Sequence, residues 1–368
     1  MTLAIPAKLA LLALITALSA AAGARDDAVQ FMNQVNAKVA KASARKNRWD
    51  GPLTGPKIRQ KKRLVFIASA LHNSSVARLG AGVEEAAVSA DWEARKIDCN
   101  GRAADCAAIF REALALRPDG IVLAGIEARE QSAGLNAAAA AKIPVVGWHA
   151  AGKTGPTDGM FTNLATDPKE VAQIAALFGI SESNGGAGIV VFTDSSSLYA
   201  SAKSNAMVDS IKHCASCSRL GVEDMPLATA AADMPQRLAE LVRRHGAKWT
   251  HAIGVNDLYF DLMTAPAAAA ILAKTRLQAL SAGDGSASAY QRIRSKTLQT
   301  GTVPEPLNQH GWQLVDELNR ALAGEKPSGY STPVHLVTSL NIAFEGGAQN
   351  TFDPDNGYRD RYKKIWLP

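Results

Sequence analysis

Short apolar runs rich in Val, Ile and Leu recur along the chain, and longer stretches with alanine and aliphatic residues at helical spacing separate them. Leu64-Val-Phe-Ile-Ala-Ser69 predicts a strand, and after the polar break His72-Asn-Ser-Ser75 a helix is expected through Ala90. Trp92 to Ile97 and Asp119 to Ala124 predict two more strands around a helix from Ala103 to Leu116. An Ala-rich helix over 131–142 then leads to the β-branched run Ile143-Pro-Val-Val-Gly-Trp-His149, too short for a helix and read as a buried parallel strand. The pattern restarts with a helix from Asp167 to Phe178 and a strand from Gly188 to Thr193. Helices over Ala200 to His213 and Met234 to His245, strands at Thr250 to Val255 and Arg276 to Ala282, and a long amphipathic helix from Pro306 to Ala323 follow. This alternation predicts an α/β fold of two similar doubly wound parallel-sheet lobes, with a cleft at the carboxyl ends of their strands.

The beginning of the chain reads differently. Lys8, the apolar run Leu9 to Leu18 and Ala22-Gly-Ala24 follow the order of a secretory signal over residues 1–24, with no cysteine after it for a lipid anchor. Residues 25–59 are expected to be an appended helix, about Asp26 to Ala44, and a turn-rich linker containing Trp49-Asp-Gly-Pro-Leu-Thr-Gly-Pro56.

Of the 368 residues 47% are hydrophobic and 20% charged, which suits a folded chain with two cores and excludes a disordered one. Without Lys8 the 40 basic residues become 39 against 34 acidic, a modest excess of +5. Much of it lies in Lys57-Ile-Arg-Gln-Lys-Lys-Arg63, where no aromatic residues interleave, so the run reads as a solvated linker and not as a nucleic-acid platform. No nucleic-acid partner is expected.

Candidate chemistry clusters at predicted strand ends. Gly147 to Thr154 fits a phosphate-loop pattern, but Gly155, Pro156 and Gly159 forbid the helix that would hold phosphate, so nucleotide binding is not expected. Four cysteines in an exported chain suggest disulfides, and the spacings favour the local pairs Cys99–Cys106 and Cys214–Cys217. Zinc at Cys214 and Cys217 would need two more ligands, and only His213 is near. Ser195-Ser-Ser197 follows a strand without a nucleophile elbow, and no H-E-x-x-H pattern occurs, so neither catalysis nor a metal or other cofactor is expected.

Several marks stand in a specific order: Val65-Phe-Ile-Ala-Ser-Ala-Leu-His-Asn73, Arg117-Pro-Asp-Gly-Ile-Val-Leu123, Ala141-Lys-Ile-Pro-Val-Val146, Ala165-Thr-Asp167, Val255-Asn-Asp257, Ala282-Gly-Asp-Gly285 and Gly301-Thr-Val-Pro-Glu-Pro306. In this order the chain resembles periplasmic solute-binding proteins of the ribose- and galactose-binding type, which feed ABC importers. The resemblance covers about Lys62 to Asn341. It implies a type I periplasmic binding fold with a three-crossover hinge, residues 60–166 with 306–333 in the N-terminal lobe and 167–305 with 334–368 in the C-terminal lobe. It further implies a monomer that captures a small polar molecule, works with an inner-membrane permease and resides in the periplasm. A sensor that docks on a chemoreceptor or histidine kinase shares the fold and stays open as an alternative.

The resemblance carries ligand contacts to Asn73, Asn256 and Asp284, whose amide and carboxylate groups suit hydroxyl-rich ligands. The chain departs from the family's sugar binders at His149-Ala150 for an Asp-Arg pair, at Ser75-Val76 for two aromatics and at Glu305 for a glutamine. Tyr199 stands near a missing second-lobe arginine. Asn73, His149, Tyr199, Asn256, Asp284 and Glu305 are therefore the expected ligand set, for a sugar, a polyol or, through protonated His149, a small carboxylate. Trp148 is expected on the other side of its strand, as packing.

Overall fold

A computed structural model describes residues 26–45, 47–346 and 349–367; the expected leader lies outside them. A helix α1 over residues 26–43 opens the described chain. The first sheet is built from β1 (Arg63–Ala68), β2 (Glu93–Asp98), β3 (Gly120–Ala124), β4 (Val145–Trp148), β5 (Gly155–Thr157) and β6 (Met160–Leu164), in the order β2-β1-β3-β4-β6-β5. Helices α2 (Ser74–Ser89), α3 (Ala103–Ala115) and α4 (Ser132–Ala140) connect its parallel strands, and only β5 runs antiparallel, against β6. The segment with the phosphate-loop pattern thus runs into a strand, as its glycines and proline require.

The second sheet holds β7 (Gly188–Thr193), β8 (Ser218–Asp224), β9 (His251–Gly254), β10 (Gln278–Ser281), β11 (Gln299–Thr302) and β12 (Val337–Thr338), in the order β12-β11-β10-β9-β7-β8. Around it lie α5 (Pro168–Glu182), α6 (Leu198–Lys212), α7 (Ala230–His245), α8 (Leu258–Thr264), α9 (Pro266–Leu272) and α10 (Ala287–Ser295). The chain then continues into α11 (Leu307–Ala323) and, near its end, α12 (Tyr358–Trp366). Both sheets are therefore mostly parallel with helices on both faces, the expected α/β class. Helix α11 packs on α2 through two glycines: a Cβ on Gly311 would lie 2.4 Å from the Gly82 backbone, and one on Gly82 2.8 Å from Asn308. No larger residue allows that approach.

Three crossings join the lobes, between β6 and α5, between β11 and α11, and between α11 and β12. The termini add two further passages between the lobes beside these three. Helix α1 is no detached extension, since Val35 and Ala42 sit in the second-lobe core and Ser181 Oγ donates to Asn36 at 2.7 Å. The following segment packs on the first lobe: Trp49 meets Tyr362 edge-on at 5.3 Å, Ile58 N donates to Trp366 O at 3.1 Å and Arg59 N to Asn319 Oδ1 at 3.0 Å.

The tail also crosses back, so its expected place in the C-terminal lobe fails from residue 358 onward. Tyr358, Tyr362 and Trp366 recur every fourth residue and form one aromatic face. That face is buried in the first-lobe core, with Trp366 stacked on Trp312 at 5.4 Å and its Nε1 donating to Asp316 Oδ1 at 2.8 Å. Both cysteine pairs are bridged as the spacings favoured, with Cα–Cα distances of 5.1 and 5.3 Å.

Candidate functional site

Strand β4 is buried along its length and stops at His149, whose φ of 51° is left-handed. This turn breaks the alternation of the strand, so the His149 ring leans on its neighbour Trp148 at 3.6 Å with an interplanar angle of 15°. Trp148 is thus core packing and also the platform beneath His149, beyond the packing role expected of it. From the second lobe Tyr199, in the first turn of α6, covers the other face of the imidazole at 3.8 Å and 19°. The histidine lies between rings of both lobes.

Glu305, on the crossing into α11, is the hub. Its Oε1 meets His149 Nε2 at 3.0 Å and accepts from Tyr199 Oη, while its Oε2 accepts from Thr166 N at 3.2 Å and lies 3.4 Å from His310 Nδ1. Burial alone would raise this carboxyl, but His149 beside it holds it well below the usual carboxylate range. The Tyr199 hydroxyl moves the opposite way, kept protonated by burial and by the Glu305 charge.

His310 reads as a neutral imidazole. Trp148 Nε1 donates to its Nδ1 at 3.2 Å, which assigns the ring proton to Nε2, 2.8 Å from Thr332 Oγ1. Burial accordingly pushes its pKa down to about 4. Thr332 Oγ1 also bonds Thr166 Oγ1 at 2.6 Å, so two of the interlobe crossings are tied to the same network as Glu305.

The second lobe presents Asp284, after β10, and Asn256, after β9. Asn256 Nδ2 donates to Asp284 Oδ2 at 3.2 Å, whereas Asp284 Oδ1 is buried without a hydrogen-bond partner. Burial raises the Asp284 carboxyl, opposed by Lys203 and His149. Asp257 fixes the loop that carries Asp284 by accepting from Gly285 N at 2.8 Å and Ser286 N at 3.0 Å. Lys203, only 1% exposed, reaches into the same place from α6, four residues after Tyr199. Its Nζ donates to Ala282 O at 2.5 Å and Val255 O at 3.4 Å, rests 4.4 Å from the Tyr199 ring centroid and lies 4.0 Å from Asp284 Oδ1.

Five of the six expected contacts thus form one cluster: His149, Tyr199, Asn256, Asp284 and Glu305. The sixth, Asn73, has a local bond instead: its Oδ1 caps α2 by accepting from Ser75 N at 2.9 Å. Sequence reasoning missed Lys203, His310 and Thr166. The spacing of Tyr199 and Lys203, one helical turn apart, was a readable sign that they share a face. The serines after β7 have local duties: Ser195 Oγ donates to Asp224 at 2.5 Å and Ser197 Oγ accepts from Ala200 N at 3.3 Å to cap α6.

The lobes meet over the cluster. Leu198 N, at the start of α6, donates to Glu127 Oε1 of the first lobe at 2.7 Å, a bond that exists only when the lobes are close. Donor atoms of His149, Asp284 and Glu305 lie within 4.8 Å of one another, near enough for one metal ion, although the Lys203 ammonium already stands beside them. A separate pocket of about 300 Å³ is walled by the crossing segments, with Arg45, Pro306, Thr332, Pro333 and Phe352 among its lining.

A family model described as a periplasmic binding protein domain matches residues 64–326, spanning both lobes and every member of this cluster. The chain belongs to this family. Its fold is shared with solved ABC transporter solute-binding proteins at low identity. One from Agrobacterium vitis, bound with α-D-tagatopyranose, is 17% identical with a TM-score of 0.68 over 79% of this chain and 99% of that one. Another from the same organism, with bound allitol, is 16% identical with a TM-score of 0.67 over 77% and 97%. A third from Bacillus halodurans, with bound myo-inositol, is 15% identical with a TM-score of 0.65 over 79% and 98%. Among curated proteins, none matches the chain.

Proposed function

We propose that the protein is the substrate-binding component of an ABC-type importer, which captures an uncharged sugar or polyol in the interlobe cleft and presents the closed form to a permease in the inner membrane. The observation that carries this reading is the convergence of His149 from the first lobe, Tyr199 and Asp284 from the second and Glu305 from the crossing between them on one buried point. Contacts of this kind are complete only when the lobes are shut, so a ligand that makes them favours closure. The solved relatives that hold tagatopyranose, allitol and myo-inositol support the ligand class. Residence in the periplasm follows from the same reading.

Charge narrows the choice between the sugar and carboxylate alternatives. Asp284 Oδ1 lacks a hydrogen-bond donor, so a hydroxyl completes it, and since Lys203 already stands opposite Asp284 and His149 opposite Glu305, an incoming carboxylate finds no cation that is not already facing an acid. Neutral ligands with many hydroxyls are favoured. A thermal-shift screen across sugars, polyols, nucleosides and small carboxylates tests this, because a ligand bound only to the folded state raises the melting temperature. At least one sugar or polyol is expected to do so. Stabilisation by carboxylates alone, or by none of the four classes, would refute the reading.

A further inference from the structure

His149, Asp284 and Glu305 bring an imidazole nitrogen and two carboxylate oxygens within 4.8 Å of one another in a buried setting, the donor set that borderline divalent cations take. A ligand cleft with that constellation would bind dissolved metal in competition with sugar. A buried lysine opposes it. Lys203 is buried, and its ammonium is fixed by the carbonyl oxygens of Ala282 and Val255, under the Tyr199 ring and 4.0 Å from Asp284 Oδ1, which has no hydrogen-bond partner.

We propose that Lys203 is a specificity-determining residue of the cleft: its ammonium supplies the positive charge that the His149, Asp284 and Glu305 donors would otherwise recruit from solution, so the site refuses divalent metal ions and protonated amines. The carbonyl oxygens of Ala282 and Val255 end up at the carboxyl edges of β10 and β9, where they hold the ammonium in place independently of Asp284. The cation therefore stays when a neutral ligand enters and takes the free oxygen of Asp284. A metal ion placed among the three donors would stand a few ångströms from a fixed like charge in a medium of low dielectric, which repels it strongly. The inference rests on the reading of the cleft as a ligand site, but its test uses no sugar, so the two can fail separately.

The probe is Co²⁺ titrated into the untagged, chelator-treated full chain, read by the visible absorption that Co²⁺ acquires on entering a site of nitrogen and oxygen ligands. The unmodified protein and Lys203→Arg are expected to show no saturable band that depends on Asp284. Lys203→Met is expected to show one, at one equivalent and at least about tenfold tighter, and to lose it in Lys203→Met with Asp284→Asn. A merely structural lysine would lower the melting temperature on replacement without creating a metal spectrum. The proposal is overturned if the unmodified protein gives a saturable band that Asp284→Asn removes, or if folded Lys203→Met gives none. Should Lys203→Met not fold, Lys203→Gln takes its place, and the comparison of the unmodified protein with Asp284→Asn still decides.

Discussion

At the scale of single residues, the account turns on Glu305. Three donors converge on its carboxylate, from Tyr199, Thr166 and His149, and all are buried or nearly so. Glu305→Ala takes this acceptor from Thr166 N and His149 and leaves Tyr199 Oη only the long bond to Thr166 O at 3.5 Å, and breaking a buried charged network of this kind costs about 3 kcal/mol or more. The expected outcome is a clearly lower urea midpoint for the ligand-free protein with its unfolding slope unchanged; an unaltered midpoint would mean that the network is absent in solution. Much of this centre was legible in the sequence. His149 and Glu305 stood out as departures from the pattern the chain otherwise resembles, and Asp284 as the acid between two glycines at a strand end. The part that stayed hidden depends on backbone geometry: the left-handed turn at His149 puts Trp148 and His149 face to face, where strand alternation had set them apart.

Among the elements, α11 carries the most consequence, because it leaves the hinge, packs on α2 and receives α12. It also buries Glu317, whose carboxylate accepts from Ser328 N at 3.1 Å. Burial raises the Glu317 pKa from 4.5 to about 7, with Asp316 adding to the rise and the Ser328 bonds opposing it. The folded state therefore holds this proton more tightly than the unfolded chain, so its stabilising effect is full below pH 4.5 and is lost as pH climbs to about 7. His310 works in the opposite sense, since its depressed pKa disfavours the folded state as pH falls from 6.5 toward 4. Glu317→Gln isolates the first effect, as His310 is common to both proteins. The variant is expected to gain stability relative to the parent across pH 4.5 to 7, by at most about 1.4 kcal/mol per pH unit; parallel pH profiles would contradict it. Elements that bury an apolar run were readable, and β7 has the predicted bounds, Gly188 to Thr193. Strand β8 was missed because it is an edge strand, largely exposed, with Gly221 and three charged residues in seven positions. The short β6, the terminal β12 and the small helices α8 to α10 lack a long enough period to register.

For the whole molecule, the termini change what the two-lobe plan can do. The α/β class and the pair of lobes follow from the alternation of strands and helices, but nothing in that alternation says where an appended helix will pack. The polar α12, with an aromatic every fourth residue, and α1, with Val35 and Ala42 on one face, each find a core in a lobe other than the neighbouring segment's. Two added crossings must bend together with the other three when the lobes part, and Thr166 with Thr332 links two of those to Glu305 in the cleft. Opening and ligand contact are in this way coupled through the same side chains. The most direct test of the central claim is calorimetric titration of the sugar or polyol giving the largest thermal shift into the parent protein and into Asp284→Ala. One ligand per chain is expected, with binding to the variant about five- to 150-fold weaker, the cost of about 1 to 3 kcal/mol for hydroxyls buried without their partner. An affinity that is the same in both proteins would contradict the assignment of the interlobe cluster as the binding site.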